Sequence, residues 1–210
     1  MEKENNKLKG AFVERDLSWM YFNHRILQEA EKKDIPVLER MTFLGIYSNN
    51  LDEFFRVRIA SLNRIAQSKD KTLKNDRERA KRTIKDINHL NSCYNKEFEK
   101  AVQEITEELE QKGIRLLHEN QLNDEQKDFI QRFYLEKLNG STNPIWLSQI
   151  KEIGATADDG IFLAIKRMEW IEGKKKPKID YALIAMPDKE IGRFVRLPKS
   201  DEKENIMFLD

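Results

Sequence analysis

The sequence contains a single cysteine, Cys93, among its 210 residues. One thiol cannot form an intramolecular disulfide, and it cannot build a tetrahedral cysteine–zinc site. Nothing therefore points to secretion, and a reducing, cytoplasmic environment is the default expectation. We expect Cys93 itself to be a small buried hydrophobic residue within a helix.

A targeting segment and long apolar runs are also missing. The first ten residues, MEKENNKLKG, are polar and charged, unlike the apolar core of a signal peptide. No run of the sequence approaches the roughly 18 apolar residues of a membrane span. These absences predict a soluble protein.

An excess of one charge is lacking too. Lysine and arginine total 38 against 37 aspartate and glutamate residues, so the formal net charge is +1. A polyanion-coating tail would be strongly basic, and a disordered chain would combine low hydrophobicity with a large net charge. The balance argues against both classes. It also disfavours an RNA-binding module, because phosphate binding requires an excess of basic groups.

Common catalytic motifs do not occur. GxxxxGK[ST] and GxGxxG are both absent, which argues against P-loop and Rossmann nucleotide sites. His24, His89 and His118 lie far apart, and none has another histidine or a cysteine at metal-ligand spacing. We expect each histidine to lie on a surface or helix face, and we predict no metal site.

The residues that are present show helical periodicity from Asp16 onwards. Asp16 or Ser18 would cap the first helix, which should end before Pro36 because the residue preceding proline is pushed out of the α region. Apolar side chains at spacings of three and four define its predicted inner face: Trp19, Phe22, Ile26, Leu27 and Ala30.

Two more helices are predicted between Pro36 and Gln67. The first of them would run from Pro36 to about Tyr47. The other would begin at Asn50, because Asn50 and Glu53, three residues later, resemble a capping box. In this interpretation the Asn50 side chain accepts hydrogen bonds from free N–H groups at a helix start.

A stretch without glycine or proline, residues 70–112, predicts one long helix. Gly113 would end it. Its apolar positions keep a spacing near the helical ~3.6: Ala80, Ile84, Ile87, Tyr94, Phe98, Ala101, Ile105 and Leu109. We therefore expect residues 1–112 to form a helical bundle in which one helix is much longer than the rest.

After Gly113 the pattern changes to short strands around one amphipathic helix at 123–138. Strand segments are predicted at 114–117, 160–165, 178–186, 193–198 and 206–209, with a hairpin loop at 172–177; the segments at 160–165 and 178–186 should be buried. The predicted fold class is an α-helical bundle (1–112) followed by an incomplete α+β domain (113–210), mostly α overall. Because an apolar segment runs up to Asp210, we expect the second domain to continue beyond it.

Charged, amide and aromatic residues are densest around residues 16–60. The set comprises Arg15, Asp16, Trp19, Phe22, Asn23, Arg25, Arg40, Tyr47, Asn49, Asn50, Asp52, Arg56 and Arg58. Most have ordinary structural explanations, such as helix capping for Asn50 and the helix dipole for Asp52. Arg56 and Arg58 cannot share one helix face, so we expect one to pair with an acid and the other to face solvent or a ligand.

The same region resembles the opening of the bacterial polyphosphate kinases that work through a phosphohistidine. The resemblance is carried by RDLSW at 15–19, FN at 22–23, RILQEA at 25–30, LER at 38–40, FLGIYSNNLDEF at 43–54 and VR at 57–58. It is strong to about residue 67 and looser beyond. It implies that the chain comprises the N-terminal helical domain and the first part of the head domain of such an enzyme.

The resemblance also implies a function and a site. Such enzymes transfer the terminal phosphate of ATP reversibly to polyphosphate, and their phosphohistidine and Mg²⁺-associated groups lie in C-terminal domains. No catalytic residue is therefore expected in this chain. An ATP contact is implied at Asn50, and Asn49, Asp52, Arg56 and Arg58 are the other candidates near that site.

The implied partners are ATP, polyphosphate and a second copy bound through the head domain. No nucleic-acid partner is expected, and peripheral membrane association is left open. The chain alone should bind ATP weakly or not at all, because the opposite wall of the site would be missing. Two alternatives stay open: a free-standing interaction module whose long helix is the partner surface, and, less favoured, a polyanion-binding or RNA-binding module.

Overall fold

The computed structural model describes residues 13–150, 160–174 and 176–209. The chain divides into two compact units, Met1–Leu109 and Glu110–Asp210. The described elements of the first unit are all helical, and the second combines short strands with helices. The predicted class, a helical bundle followed by an α+β unit, is confirmed.

Helix α1, Arg15–Glu31, begins one residue earlier than predicted. Its cap is Glu14, whose carboxylate accepts a hydrogen bond from the Asp16 N–H at 2.6 Å, so the prediction of Asp16 or Ser18 as the cap is wrong. The buried positions of α1 are Asp16, Met20, Asn23, Leu27 and Ala30. Phe22, predicted to face inward, is 61% exposed.

Residues 37–67 form one continuous helical rod. It consists of α2 (Val37–Phe54), a π-helical turn (Phe55–Ile59) and α3 (Ala60–Gln67). The predicted helix start at Asn50 is therefore wrong. Asn50 lies inside α2, where the backbone N–H groups already have helical partners, so it has no free helix terminus to cap. Asparagine has a low helix propensity, and tertiary packing overrides it here.

The long helix is confirmed as α4, Lys74–Gln111, after a 3₁₀ turn at Lys71–Leu73. Gly113 ends it with φ at 89°, a left-handed conformation that glycine adopts without strain. Six of the eight predicted apolar positions are buried, while Ile84 and Phe98 are half-buried. Cys93 is exposed, contrary to prediction, because it lies about 100° around the helix from buried Tyr94.

Arg40 links three helices of the first unit from a site that is 1% exposed. Its Nε donates to the Ala30 carbonyl at 2.7 Å, at the end of α1, and its Nη1 donates to Glu108 of α4 at 2.7 Å. A buried guanidinium needs such partners, because an unpaired charge is costly to remove from water. This candidate from the dense cluster therefore holds the bundle together.

Within residues 110–150, 160–174 and 176–209, the second unit has two three-stranded sheets. One has the order β1–β6–β5, with β1 parallel to β6, and the other is antiparallel with the order β2–β4–β3. The strands are β1 (Ile114–Leu117), β2 (Ile145–Trp146), β3 (Phe162–Glu169), β4 (Lys178–Ala185), β5 (Phe194–Ser200) and β6 (Lys203–Phe208). Short 3₁₀ turns lie at Glu119–Gln121 and Leu147–Gln149, and a short helix α6 lies at Asp188–Ile191.

The predicted helix of the second unit is present as α5, Asp124–Phe133, extended by a π turn at Tyr134–Leu138. Asn123 and Gln126 form a reciprocal capping box at its start. The β3–β4 hairpin is confirmed as well, but most β3 side chains are exposed, so the prediction of a buried strand is wrong. One buried cluster of this unit consists of Leu117, Leu122, Val195 and Leu197.

Candidate functional site

A groove of about 510 Å³ opens in the first unit, between the N-terminal half of α1 and the rod formed by α2 and its π turn. Its lining residues, which define the Trp19 groove, are Arg15, Asp16, Trp19, Phe22, Asn50, Glu53, Phe54, Val57 and Arg58. On each helix these residues recur at spacings of three and four, so each set forms one face. The volume is typical of small-molecule sites.

The apolar wall of the Trp19 groove is aromatic. The rings of Trp19 and Phe54 are stacked with centroids 4.0 Å apart and planes at 3°. Phe54 is buried and supports the indole of Trp19, while Phe22 and Val57 are exposed at the rim. Flat aromatic surfaces of this kind bind planar ligand rings by stacking.

The Asn50 side chain is anchored by a hydrogen bond to Asn23, a buried residue of α1. Asn23 donates through Nδ2 to the Tyr47 carbonyl at 3.2 Å, and Asn50 donates through Nδ2 to the Asn23 Oδ1 at 3.1 Å. Among the described residues, the Asn50 Oδ1 has no hydrogen-bond partner. Asn50 thus lines the groove with an acceptor that a ligand can use.

Arg58 is fixed by a second buried residue of α1. Its Nε and Nη2 donate to the two carboxylate oxygens of Asp16 at 3.0 and 3.1 Å, a bidentate geometry. Burial raises the pKa of the Asp16 carboxyl, the charge of Glu14 adds to this rise, and Arg15 opposes it. The third guanidinium nitrogen, Nη1, has no partner in the part of the chain that the structure describes. The groove therefore presents a donor for an anion as well as an acceptor.

Comparison with known proteins decides the family. Residues 12–117 match the family described as the polyphosphate kinase N-terminal domain. The chain belongs to this family. All the residues that line the Trp19 groove fall within the matched range, and so does the whole of α4.

Individual polyphosphate kinases are similar over most of the chain. The polyphosphate kinase of Vibrio parahaemolyticus is 31% identical over 205 residues, covering 95% of this chain and 28% of that protein. The Escherichia coli K12 polyphosphate kinase is 35% identical over 188 residues, covering 89% of this chain and 26% of its own length. The chain thus spans little more than a quarter of these curated relatives.

A solved structure agrees with the fold. The crystal structure of polyphosphate kinase from Porphyromonas gingivalis is similar with a TM-score of 0.77 and 28% identity. The similarity covers 94% of this chain and 28% of that one. The match to the N-terminal domain family and this coverage together favour the N-terminal fragment of a polyphosphate kinase over a free-standing interaction module.

Of the five predicted site residues, the structure brings Asn50 and Arg58 together in the Trp19 groove. Asn49 is exposed outside the lining, and Asp52 pairs with Arg56 on the exposed side of the rod, with Nη2 and Oδ2 2.9 Å apart. These three residues lie on other faces of the helix from Asn50. Both arginines pair with acids, so the expectation that only one would do so is wrong.

Asp16 and Asn23 belong to the dense cluster, but their positions in the sequence do not reveal the roles that they have in this polyphosphate kinase domain. Asp16, one of the two predicted caps, instead binds Arg58 from a buried position. One signal for Asn23 was available, since it shares a helix face with Met20 and Leu27. A polar side chain on an apolar face must find a buried partner.

Neither a metal-binding cluster nor a membrane-spanning helix occurs among the described residues. In residues 13–150, 160–174 and 176–209, no group of three or more acidic, histidine or cysteine side chains could hold a metal ion. The described residues therefore form no all-protein cage for Mg²⁺. None of the helices within those ranges is long and apolar enough to span a bilayer.

Proposed function

We propose that the chain is the nucleotide-binding N-terminal part of a polyphosphate kinase, an enzyme that transfers the terminal phosphate of ATP reversibly to polyphosphate. The Trp19 groove carries this proposal, because it combines an aromatic wall with an amide acceptor at Asn50 and a cationic donor at Arg58. A nucleotide offers the matching groups, a planar base and an anion.

Three polar residues of the groove have a role in this proposal. The base stacks beside Trp19 and Phe22 and donates to the Asn50 Oδ1, while the Arg58 Nη1 meets the phosphates. Asn50 and Arg58 are eight positions apart, roughly 12 Å along a helix at ~1.5 Å per residue. This span suits a nucleotide lying from its base towards its first phosphates. Glu53, between them, is placed to accept from the ribose hydroxyls.

Phosphoryl transfer itself is assigned to groups outside this chain. His24 is engaged in packing and pairing, since its ring stacks on Tyr94 at 3.9 Å and its Nε2 lies 2.6 Å from a Glu97 oxygen. The lining of the Trp19 groove contains no histidine, so it offers no residue that could become a phosphohistidine. The chain's own residues bind and orient ATP, and Mg²⁺ would be bound with the phosphates by the rest of the enzyme.

The proposal also includes a second copy of the protein, bound through the second unit. Exposed apolar side chains on the β3–β4 hairpin and beside it support such an interface: Met168, Trp170, Ile179 and Tyr181. A cytoplasmic location is proposed on the family resemblance. Peripheral membrane association stays a prediction of that resemblance.

The test is a pair of neighbouring asparagines in the longer polyphosphate kinase to which we assign the chain. Asn50→Ala removes the acceptor from the groove and should raise the KM for ATP about fivefold to tenfold, since one hydrogen bond contributes ~1 kcal/mol. Asn49→Ala, outside the groove, should leave the KM unchanged. Steady-state kinetics provide the measurement. A wild-type KM and turnover in a normally stable Asn50→Ala protein would refute the contact.

A further inference from the structure

Asn23 does not line the Trp19 groove, yet it determines which atom of Asn50 a ligand meets. It is 1% exposed and lies between two groups of the α2 helix, the Tyr47 carbonyl and the Asn50 carboxamide. Neither the proposed ATP contact nor the family match assigns it a role.

The chemistry of the three groups leaves one arrangement. A carbonyl oxygen only accepts, so Asn23 must turn its nitrogen towards Tyr47 and its oxygen towards Asn50. Asn50 must then donate through its own nitrogen, which leaves its oxygen for the groove. Reversing either amide would set two acceptor oxygens against each other in a buried place, which is unfavourable.

We infer that Asn23 is a positioning residue that makes the groove select an amino-substituted purine over an oxo-substituted one. This inference rests on the proposed function, in which the base binds beside Asn50. The exocyclic amine of adenine donates to the Asn50 Oδ1. The oxo group of hypoxanthine at the same ring position only accepts, so two acceptors would face each other.

ATP and ITP are the matched probes for this selectivity. They carry the same ribose and triphosphate, so the Arg58 contact is common to both, and they differ at the base edge. We expect the isotope-labelled 210-residue chain, titrated at millimolar ligand and followed by NMR, to bind ATP about fivefold more tightly than ITP. Both ligands should shift the Arg58 Nε–H resonance.

Variants at Asn23 separate positioning from folding. Asn23→Leu removes the hydrogen-bond partner of the Asn50 amide, and that amide can then turn either way. The ratio of the ATP affinity to the ITP affinity should therefore fall close to one. Asn23→Asp should restore the preference, because burial favours the neutral acid, which donates to Tyr47 and accepts from Asn50. Asn49→Leu is the control on the exposed side of the helix, and it should keep the wild-type ratio. Thermal unfolding of each variant reports its stability.

Every outcome decides the inference. Equal binding of ATP and ITP by the wild-type chain overturns the selectivity but leaves the nucleotide site standing. An undiminished preference in folded Asn23→Leu shows that Asn23 does not position Asn50. If that variant does not fold, the wild-type ratio and the Asn23→Asp protein decide instead. No response of the groove to either nucleotide overturns the selectivity, and the kinetics of Asn50→Ala in the longer polyphosphate kinase then decide the proposed function separately.

Discussion

Single buried residues carry much of the chemistry of the first unit, and Tyr47 shows how a buried group responds to pH. Its side chain is 3% exposed, and within the described structure its hydroxyl has no hydrogen-bond partner. Burial raises the pKa of Tyr47 to about 12, with Glu97 and Tyr94 adding to the rise. The folded protein therefore favours the protonated phenol more than the unfolded chain does.

The sign of the pH dependence follows from this rise. The Tyr47 contribution to stability is complete below the unfolded pKa of about 10, and it is lost as pH rises through the folded pKa of about 12. Tyr47→Phe should reduce the fall in unfolding free energy between pH 9 and 12 by about 2–3 kcal/mol.

At pH 7 the same variant should be as stable as the wild type or up to about 1 kcal/mol more stable, since an unpaired buried hydroxyl is removed. Urea denaturation at several pH values measures both effects. A loss of more than about 1 kcal/mol at pH 7 would show that the hydroxyl is hydrogen-bonded in solution.

At the scale of elements, two glycines of opposite conformation provide a matched test. Gly45 lies exposed inside α2, and a Cβ built there would meet nothing within 4 Å. Gly45→Ala should therefore raise the unfolding free energy by about 0.5–1 kcal/mol, because alanine loses less backbone entropy in a helix. Chemical denaturation measures the change.

Gly113→Ala is the control, since its φ of 89° suits glycine and strains alanine. It should lower the unfolding free energy by about 1 kcal/mol. A stability gain in both variants would contradict the assignment of Gly113 as the end of α4.

The elements also show where sequence reasoning succeeds. The length of α4 and its end at Gly113 follow from unbroken periodicity and one permissive residue. The start of α5 follows from Asn123 and Gln126, which form the capping box that their spacing suggests. These features are local, so the sequence contains what determines them.

Where packing decides, the sequence is insufficient. Asn50 and Glu53 have the spacing of a cap, but the helix passes through them because α1 packs against α2. In α1 two apolar faces overlap, and periodicity alone does not tell which one the bundle buries. The family resemblance points to Asn50 and Arg58 as candidates, whereas the anchoring roles of Asp16 and Asn23 are visible only in the contacts themselves.

At the scale of the whole molecule, the Trp19 groove is an open depression on the first unit, and the chain spans little more than a quarter of its relatives. A ligand there keeps much of its surface in water, so little apolar area is removed on binding. We expect the 210-residue chain to bind ATP with a Kd near 1 mM, an affinity of about 4 kcal/mol.

Isothermal titration calorimetry with ATP measures this affinity, and adenosine is the control that lacks the anion for Arg58. Adenosine should bind more weakly than ATP. Micromolar binding of ATP by this chain would show that the groove needs no second wall. It would contradict the expectation that the opposite wall of the ATP site lies outside this chain.

The π turn at Phe55–Ile59 has a consequence for the register of the whole rod. The buried series Leu44, Tyr47 and Phe54 would continue to position 58 in an uninterrupted α-helix, and a guanidinium would then point into the core. The wider π turn shifts the next buried position by one residue along the sequence, so Ile59 is buried instead of Arg58. Arg58 then lies at the edge of the buried face of the rod, where it contacts Asp16 on one side and lines the Trp19 groove on the other. One extra residue in one turn thus converts a core position into one that lines the groove, without disturbing either helix.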